Sequence, residues 1–178
     1  MLVFIRHGEK SYNNSQVGIP EESFKHDPPL TEDGYIASRD KGIQLLDEFG
    51  IPDYIIISPY ERCRQTADSI LKGLASKDVP VENIKIYVDT TVSEYLGNHP
   101  TENLHVTSKT SEFNPPHPET FSMFCKRVNR CYEFLTSNYI GKKVWIITHG
   151  LVMSRIYRLA HNKGKQKFKY LEHMFIGA

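Results

Sequence analysis

The sequence predicts an α/β fold built on a parallel sheet. Three observations carry this. Four short apolar, β-branched runs are spaced along the chain: Leu2 to Ile5, Tyr54 to Ile57, Ile84 to Val88 and Val144 to Thr148. Helical periodicity fills the stretches between them. Charged and histidine residues stand where the runs end. Strands alternating with helices give parallel pairing with right-handed crossovers.

The first run is too short for a helix and reads as a strand buried on both faces. It ends in Arg6-His7-Gly8-Glu9. In open α/β sheets ligands bind at the carboxyl ends of strands, so a cation, an imidazole and a flexible turn arrive where an anion would be held. Taken alone, a histidine at a strand end is more often a hydrogen-bonded structural residue, so its meaning depends on the other strand ends.

Next comes a polar, proline-containing stretch at 15–29, long for a loop. Thr31-Glu32-Asp33 then supplies an N-cap and two acids at a helix start. Ile36, Ile43, Leu46 and Phe49 form its expected apolar stripe, and Gly50 and Pro52 end it. The second strand, Tyr54 to Ile57, exits into Ser58-Pro59-Tyr60-Glu61-Arg62, with Arg62 at the entry of a helix running to about Ala75. The third strand, Ile84 to Val88, is expected to be buried on both faces like the others and leads to Val92-Ser93-Glu94. A second long polar stretch occupies 96–117. Both long stretches read as substrate-facing segments.

The clearest helix follows Pro118, with Phe121, Phe124, Val128, Cys131 and Leu135 three or four apart. The fourth strand ends in Thr148-His149-Gly150, and a last helix opens there and runs to about Ala160.

Composition narrows the function. The chain has 178 residues, enough for one domain, and 39% are hydrophobic, enough for a core. Lys+Arg is 22 against Asp+Glu 21, and a net charge of +1 argues against a nucleic-acid partner. The local basic run Lys163, Lys165, Lys167 and Lys169 reads as a solvated loop. Three cysteines without a Cys-x-x-Cys pair suit neither zinc nor a disulfide framework, and they point to a reducing, cytoplasmic setting. The apolar start is too short for a signal-peptide core, and no segment approaches a membrane span.

Two histidines, two arginines and a glutamate therefore gather on one edge of the sheet. Charged residues are rarely buried without a partner, so packing is a poor account of four such ends. Arginine forks match phosphoryl oxygens bidentately, and helix N-termini near Arg62 and Gly150 add donors. Cations around His7 disfavour its charged form and leave it neutral and nucleophilic. Glu94 is placed to supply a proton to a leaving oxygen.

Rival signatures are missing. A cysteine phosphatase needs Arg six positions after Cys, but positions 69, 131 and 137 are Ser, Cys and Ser. There is no Gly-x-Ser-x-Gly elbow, P-loop, His-x-His or His-Glu-x-x-His.

An ordered set of motifs now stands out: Arg6-His7-Gly8-Glu9, Asn13, Leu30-Thr31-Glu32-Asp33-Gly34, Ser58-Pro59-Tyr60-Glu61-Arg62 with Gln65-Thr66-Ala67, Glu94, and Thr148-His149-Gly150. In this order they resemble the histidine phosphatase superfamily, also called phosphoglycerate mutase-like, over nearly the whole chain. The resemblance implies a three-layer α/β/α sandwich with a mostly parallel sheet and a single domain spanning 1–178. It also implies a metal-free mechanism without cofactor. His7 would attack phosphorus and carry the phosphoryl group. Arg6, Arg62 and His149 would hold its oxygens, with Asn13, Gly8 and Gly150 assisting. Glu94 would act as acid and then as base for water.

The expected substrate is a phosphorylated small molecule or phosphoprotein; the motifs specify neither its identity nor an oligomeric state. Phosphomonoester hydrolysis is the leading activity. A phosphoglycerate-type mutase is the first rival, although mutases of the family follow the Asn with a Gly-Trp-containing segment. Here the chain runs Phe24-Lys25-His26-Asp27-Pro28-Pro29-Leu30-Thr31, which with Arg62-Cys63-Arg64-Gln65-Thr66 looks more like the branch of ecdysteroid-phosphate phosphatase and the suppressor-of-T-cell-receptor-signalling phosphatases. A silent phosphate- or phosphopeptide-binding module is the second rival, and it would need no nucleophile together with an acid.

Three departures from the family pattern are visible. Lys10 stands where Ser, Thr or Arg is usual; it either adds a cation beside the phosphate or, the reading preferred here, faces solvent. Tyr95-Leu96-Gly97-Asn98-His99-Pro100 lacks the family's Glu-Gly ending. The chain ends at Phe175-Ile176-Gly177-Ala178, where the family places a closing strand, so that edge is expected to be short or cut.

Overall fold

Apolar residues at alternate strand positions divide between two cores, and that division sets the architecture. The computed structural model describes residues 1–11, 27–95, 97 and 118–177. Its elements are β1 (Leu2–Arg6), α1 (Glu32–Phe49), β2 (Tyr54–Ile57), α2 (Glu61–Ala75), β3 (Lys85–Val88), α3 (Phe121–Asn138), β4 (Val144–Thr148), α4 (Gly150–His161) and β5 (His173–Ile176). Short 3₁₀ turns at Val81–Asn83 and Thr90–Val92 flank β3.

Successive strand side chains face opposite ways. Val3, Ile5, Ile55, Ile57, Trp145 and Ile147 pack with α1 and α2 through Leu45, Ala67, Ile70 and Leu74. Leu2, Phe4, Ile56, Val144 and Ile146 pack with α3 and α4 through Phe124, Val128, Leu135, Val152 and Ile156. The result is the expected α/β/α sandwich. Among the described residues, no helix is long and apolar enough to cross a membrane.

The sheet order is β3-β2-β4-β1-β5, parallel throughout except for β5. The chain moves from β1 past the place of β4 to β2 and β3, then returns to insert β4 between β2 and β1. At such a switch point the carboxyl ends of the central strands border a crevice. Register brings specific residues together there. Arg6 pairs with Thr148 and Ile57 with Ile147, so His7, His149 and Ser58 leave three adjacent strands side by side. The bonds His7 N–H to Thr148 O (3.0 Å) and Ser58 N–H to Ile147 O (3.0 Å) continue the ladder past the strand ends.

Three expectations are corrected. β3 is not buried on both faces: it is the sheet's outer strand, with Ile86 and Tyr87 exposed. The stripe expected on α1 is only the edge of its buried face: Leu46 and Phe49 are half-buried against the core, and Ile36 is 58% exposed. Gly34, Ser38, Gly42 and Leu45 are buried instead. The neighbour of α1 is α2 at close range: a Cβ on Gly42 would lie 2.5 Å from Ile70 O, and one on Gly73 would strike Arg39 O. Small residues therefore face inward where an apolar stripe was expected.

The closing edge is present. β5 pairs antiparallel with β1, from Leu2↔Ile176 to Ile5↔His173. His173 opens this strand and packs edge-on against Phe49 at 5.4 Å.

The caps of α1 act as the sequence implies. Thr31 accepts from Gly34 N–H at 2.9 Å and Gly50 ends α1 at φ 72°; Thr120 caps α3 by accepting from Met123 N–H at 3.2 Å. Such side-chain caps contribute about 1 kcal/mol each.

Candidate active site

His7 is fixed by its own turn. It is 1% exposed, and its Nδ1 lies 2.7 Å from Gly8 O. A carbonyl only accepts, so Nδ1 carries the proton and Nε2 keeps its lone pair. Burial, followed by the nearness of His149 and Arg62, holds its pKa well below the usual histidine value. The ring is therefore neutral near pH 7.

Gly8 serves this geometry. Its N–H donates to Thr66 Oγ1 (2.9 Å), which donates to Arg62 O (2.6 Å). A Cβ here would lie 2.7 Å from Ser38 Oγ. Its amide and carbonyl are thus engaged within the protein, and its place is beside His7 as a positioning element.

Arg62, on the first turn of α2, is 1% exposed. Its Nη1 lies 3.2 Å from Asp27 Oδ1 and its Nη2 lies 3.3 Å from Glu94 Oε2. The guanidinium carbon sits 4.4 Å from the centre of the Tyr60 ring. Asp27 also accepts Glu61 N–H at 2.9 and 3.0 Å, a helix-start donor that Tyr60 at the N-cap leaves uncapped.

His149 is fully buried at the N-cap of α4. Nε2 lies 2.8 Å from Ser58 Oγ, and Nδ1 lies 3.2 Å from Glu94 Oε2 and 3.3 Å from Arg62 Nη2. With its proton on Nδ1 the ring donates to Glu94 and accepts from Ser58. Burial lowers its pKa to about 4, against the pull of Glu94. Its ring centre is 5.3 Å from that of His7.

Glu94 is 23% exposed and reaches both groups. Burial would raise its carboxyl, but His149 and Arg62 outweigh that and hold it well below the usual carboxylate range. His149 is neutral near pH 7, so Arg62 is the charge that keeps Glu94 ionised. Arg127 of α3 holds the backbone before Glu94, donating to Thr91 O (2.7 Å) and Ser93 O (3.2 Å). Glu119 grips Arg127 through two bonds, at 2.8 and 2.7 Å.

Arg6 crosses Gly150, where an added Cβ would lie 3.4 Å from Arg6 Nε. Its Nη1 donates to Phe168 O (2.6 Å) and its guanidinium lies 4.3 Å from the Tyr170 ring centre. Its buried Nε has no hydrogen-bond partner among the described residues. An unpaired buried donor beside the reacting groups is ready for an anion. Lys10 is half-buried rather than solvated, in a bridge with Leu30, and its charge helps lower the His149 pKa.

The structure therefore brings together His7, Arg6, Arg62, Glu94 and His149, with Gly8, Gly150 and Lys10 around them. Asn13 lies outside the described residues, as do 15–26 of the first long stretch and all of 96–117 but Gly97. His7, Glu94 and His149 offer atoms within 4.8 Å of one another, close enough to share a metal ion. Arg62 stands in contact with two of the three, and a fixed cation there opposes a dication. Cys63 Sγ is 3.6 Å from His149 Nε2, but burial raises its pKa, so it is a thiol rather than a reactive thiolate.

The family model described as histidine phosphatase superfamily (branch 1) matches residues 2–175. The chain belongs to that superfamily. Among curated relatives of this chain, an uncharacterised phosphoglycerate mutase family protein of Acanthamoeba polyphaga mimivirus is 32% identical over 157 residues, covering 82% of this chain and 72% of the relative. A 2,3-bisphosphoglycerate-dependent phosphoglycerate mutase of Parvibaculum lavamentivorans is 23% identical over 160 residues, 84% of this chain and 74% of that one. Among solved structures, the ecdysone phosphate phosphatase of Bombix mori in complex with tungstate superposes with a TM-score of 0.65 at 18% identity, covering 97% of this chain and 86% of that chain. At that identity the likeness speaks for the fold.

Sequence reasoning missed Asp27, Ser58, Arg127 and Glu119 as supports of the site. Asp27 and Ser58 stood inside motifs already singled out, and that was their only signal. Arg127 and Glu119 had none.

Proposed function

We propose that this superfamily member is a metal-independent phosphomonoester hydrolase working through a phosphohistidine on His7. The observation that carries the reading is the Nδ1–H bond of His7 to Gly8 O, which leaves Nε2 as a buried neutral nucleophile facing a cationic pocket.

A phosphoryl group would enter between Arg6, Arg62 and His149. Its oxygens would replace Glu94 on Arg62 Nη2 and on His149 Nδ1–H. Losing those partners, and gaining a neighbouring anion, raises the Glu94 carboxyl. A monoester arriving singly protonated (its second pKa is about 6) supplies the proton Glu94 then holds.

The His7 Nε2 lone pair forms a bond to phosphorus as the phosphorus–oxygen bond to the alcohol breaks. Glu94 gives its proton to the departing oxygen. In the second half, water forms the new phosphorus–oxygen bond while Glu94 takes its proton. The phosphorus–nitrogen bond breaks and His7 returns neutral. One hard displacement becomes two easier ones, and positioning and charge supply most of the rate gain.

The test is turnover of phenyl phosphate beside the mutase reaction with bisphosphoglycerate and phosphoglycerate. Hydrolysis that vanishes in His7→Ala supports the reading. Isomerisation without hydrolysis favours the mutase, and phosphate binding without turnover reduces the chain to a binding module.

A further inference from the structure

The basic run after α4 is as exposed as the sequence suggests, but it does not lead away into solvent. Lys165 and Lys167 line a pocket of about 280 Å³ together with Arg6, Glu94, Leu151 and Ser154. Arg6 and Glu94 belong to the site proposed to handle the phosphoryl group, so the pocket adjoins the position of the leaving oxygen.

The segment that follows Lys165 and Lys167 is tied to the strand that carries His7. Arg6 Nη1 donates to Phe168 O at 2.6 Å. Leu171 N–H donates to Arg6 O at 3.2 Å, and Arg6 N–H donates to Glu172 O at 3.0 Å. Tyr170 lies against both Arg6 and His7, with its ring centre 5.6 Å from that of His7. Leu171 adopts φ 57° in this turn, a conformation uncommon for a side-chain-bearing residue. A merely solvated lysine run needs no such attachment.

The charge balance of the pocket is one-sided. Among the described residues Glu94 is its one acidic lining residue, and it is already paired with Arg62 at 3.3 Å. Neither the Lys165 nor the Lys167 ammonium has an ion pair or hydrogen bond among the described residues. The first turn of α4 adds the positive end of a twelve-residue helix. The volume is at the lower end of small-ligand sites and suits a compact group rather than a peptide strand.

We propose that this pocket is a leaving-group subsite for a second anion, so that the preferred substrate is a small phosphomonoester carrying another carboxylate or phosphate. Lysine acts as a point charge and does not demand the planar geometry an arginine fork would, which fits either anion. The proposal rests on the phosphomonoester reading above.

The test compares dissociation constants of benzylphosphonate, 4-carboxybenzylphosphonate and xylylene bisphosphonate for wild type and for Lys165→Gln/Lys167→Gln. Wild type should bind one or both doubly functional probes about tenfold more tightly than benzylphosphonate, the effect of two partly solvated charges. Which probe gains tells a carboxylate site from a phosphate site. The glutamine variant keeps the side-chain stems, and its preference should collapse to within about twofold of unity, as should that of wild type at high salt. Lys167→Glu should invert it. Equal binding of all three probes by wild type, or a preference that survives the double substitution, overturns the subsite. Phenyl phosphate turnover is read on the same samples. No turnover with an intact preference sinks the hydrolase reading and keeps the subsite; turnover without a preference does the reverse.

Discussion

Arg62 and Asp27 face each other at 3.2 Å with 1% and 5% of their side chains exposed. The pair joins the first turn of α2 to the chain entering α1, 35 positions apart in sequence. It fixes one arm of the guanidinium and leaves the other, Nη2, toward Glu94 and His149. Asp27 thus acts on the site by orienting Arg62.

Burial, partly offset by Arg62, raises the Asp27 pKa from 3.8 to about 6. An acid whose pKa is higher in the folded state binds its proton more tightly there. Its contribution to stability is therefore fully present below about pH 4 and is lost as pH rises through about 6, a change of roughly 2–3 kcal/mol. Denaturant melts between pH 4 and 7 should show this fall in wild type and not in Asp27→Asn. An identical pH dependence in the two proteins would remove Asp27 as its source.

Arg62→Ala should lower kcat by roughly two to four orders of magnitude, the scale of losing a transition-state charge clamp. Arg62→Lys should recover little, since an ammonium cannot reach Asp27 and a phosphoryl oxygen together in the fork geometry. Steady-state kinetics on phenyl phosphate would reveal it, and near-normal turnover in Arg62→Ala would contradict its place in the mechanism.

Glu94→Gln should slow alkyl phosphates far more than aryl phosphates, because only a poor leaving group needs the proton. The same selectivity, at about tenfold, is expected of Arg127→Ala, which frees the backbone before Glu94 without touching the substrate. Leaving-group dependence of kcat separates this from general unfolding. Equal losses on both substrate classes would count against the role of Glu94.

Gly42→Ala should cost about 1–3 kcal/mol by overpacking, since the added methyl would sit 2.5 Å from Ile70 O. Ile36→Ser, at the exposed position where a core residue was expected, should change stability by less than about 0.5 kcal/mol. Chemical denaturation of both variants checks the buried face of α1. A larger loss at Ile36 than at Gly42 would restore the stripe expected from sequence.

These results show which kinds of structure are written locally. Strand ends bearing Arg6-His7, Arg62 and His149 were legible because each follows an apolar run, and parallel strands deliver such ends to one edge. The inward face of α1 was not, because Gly34, Ser38 and Gly42 carry no hydropathy signal and work by close approach. β5 escaped because a four-residue strand with Phe175 exposed shows little of the pattern of a buried one. Asp27, Ser58 and the Glu119–Arg127 pair escaped as supports of the site because their partners are brought near by folding. The basic run from Lys163 to Lys169 is as exposed as expected, but nothing local reveals that Phe168 and Leu171 beside those lysines are bonded to Arg6.

The central claim is a covalent bond between phosphorus and His7 Nε2. Rapid quenching of the enzyme with a radiolabelled phosphomonoester measures it directly. A protein-bound label that survives base, is lost in acid, maps to His7 and is missing from His7→Ala is the predicted result. A label that survives acid, or that persists in His7→Ala, would contradict the account.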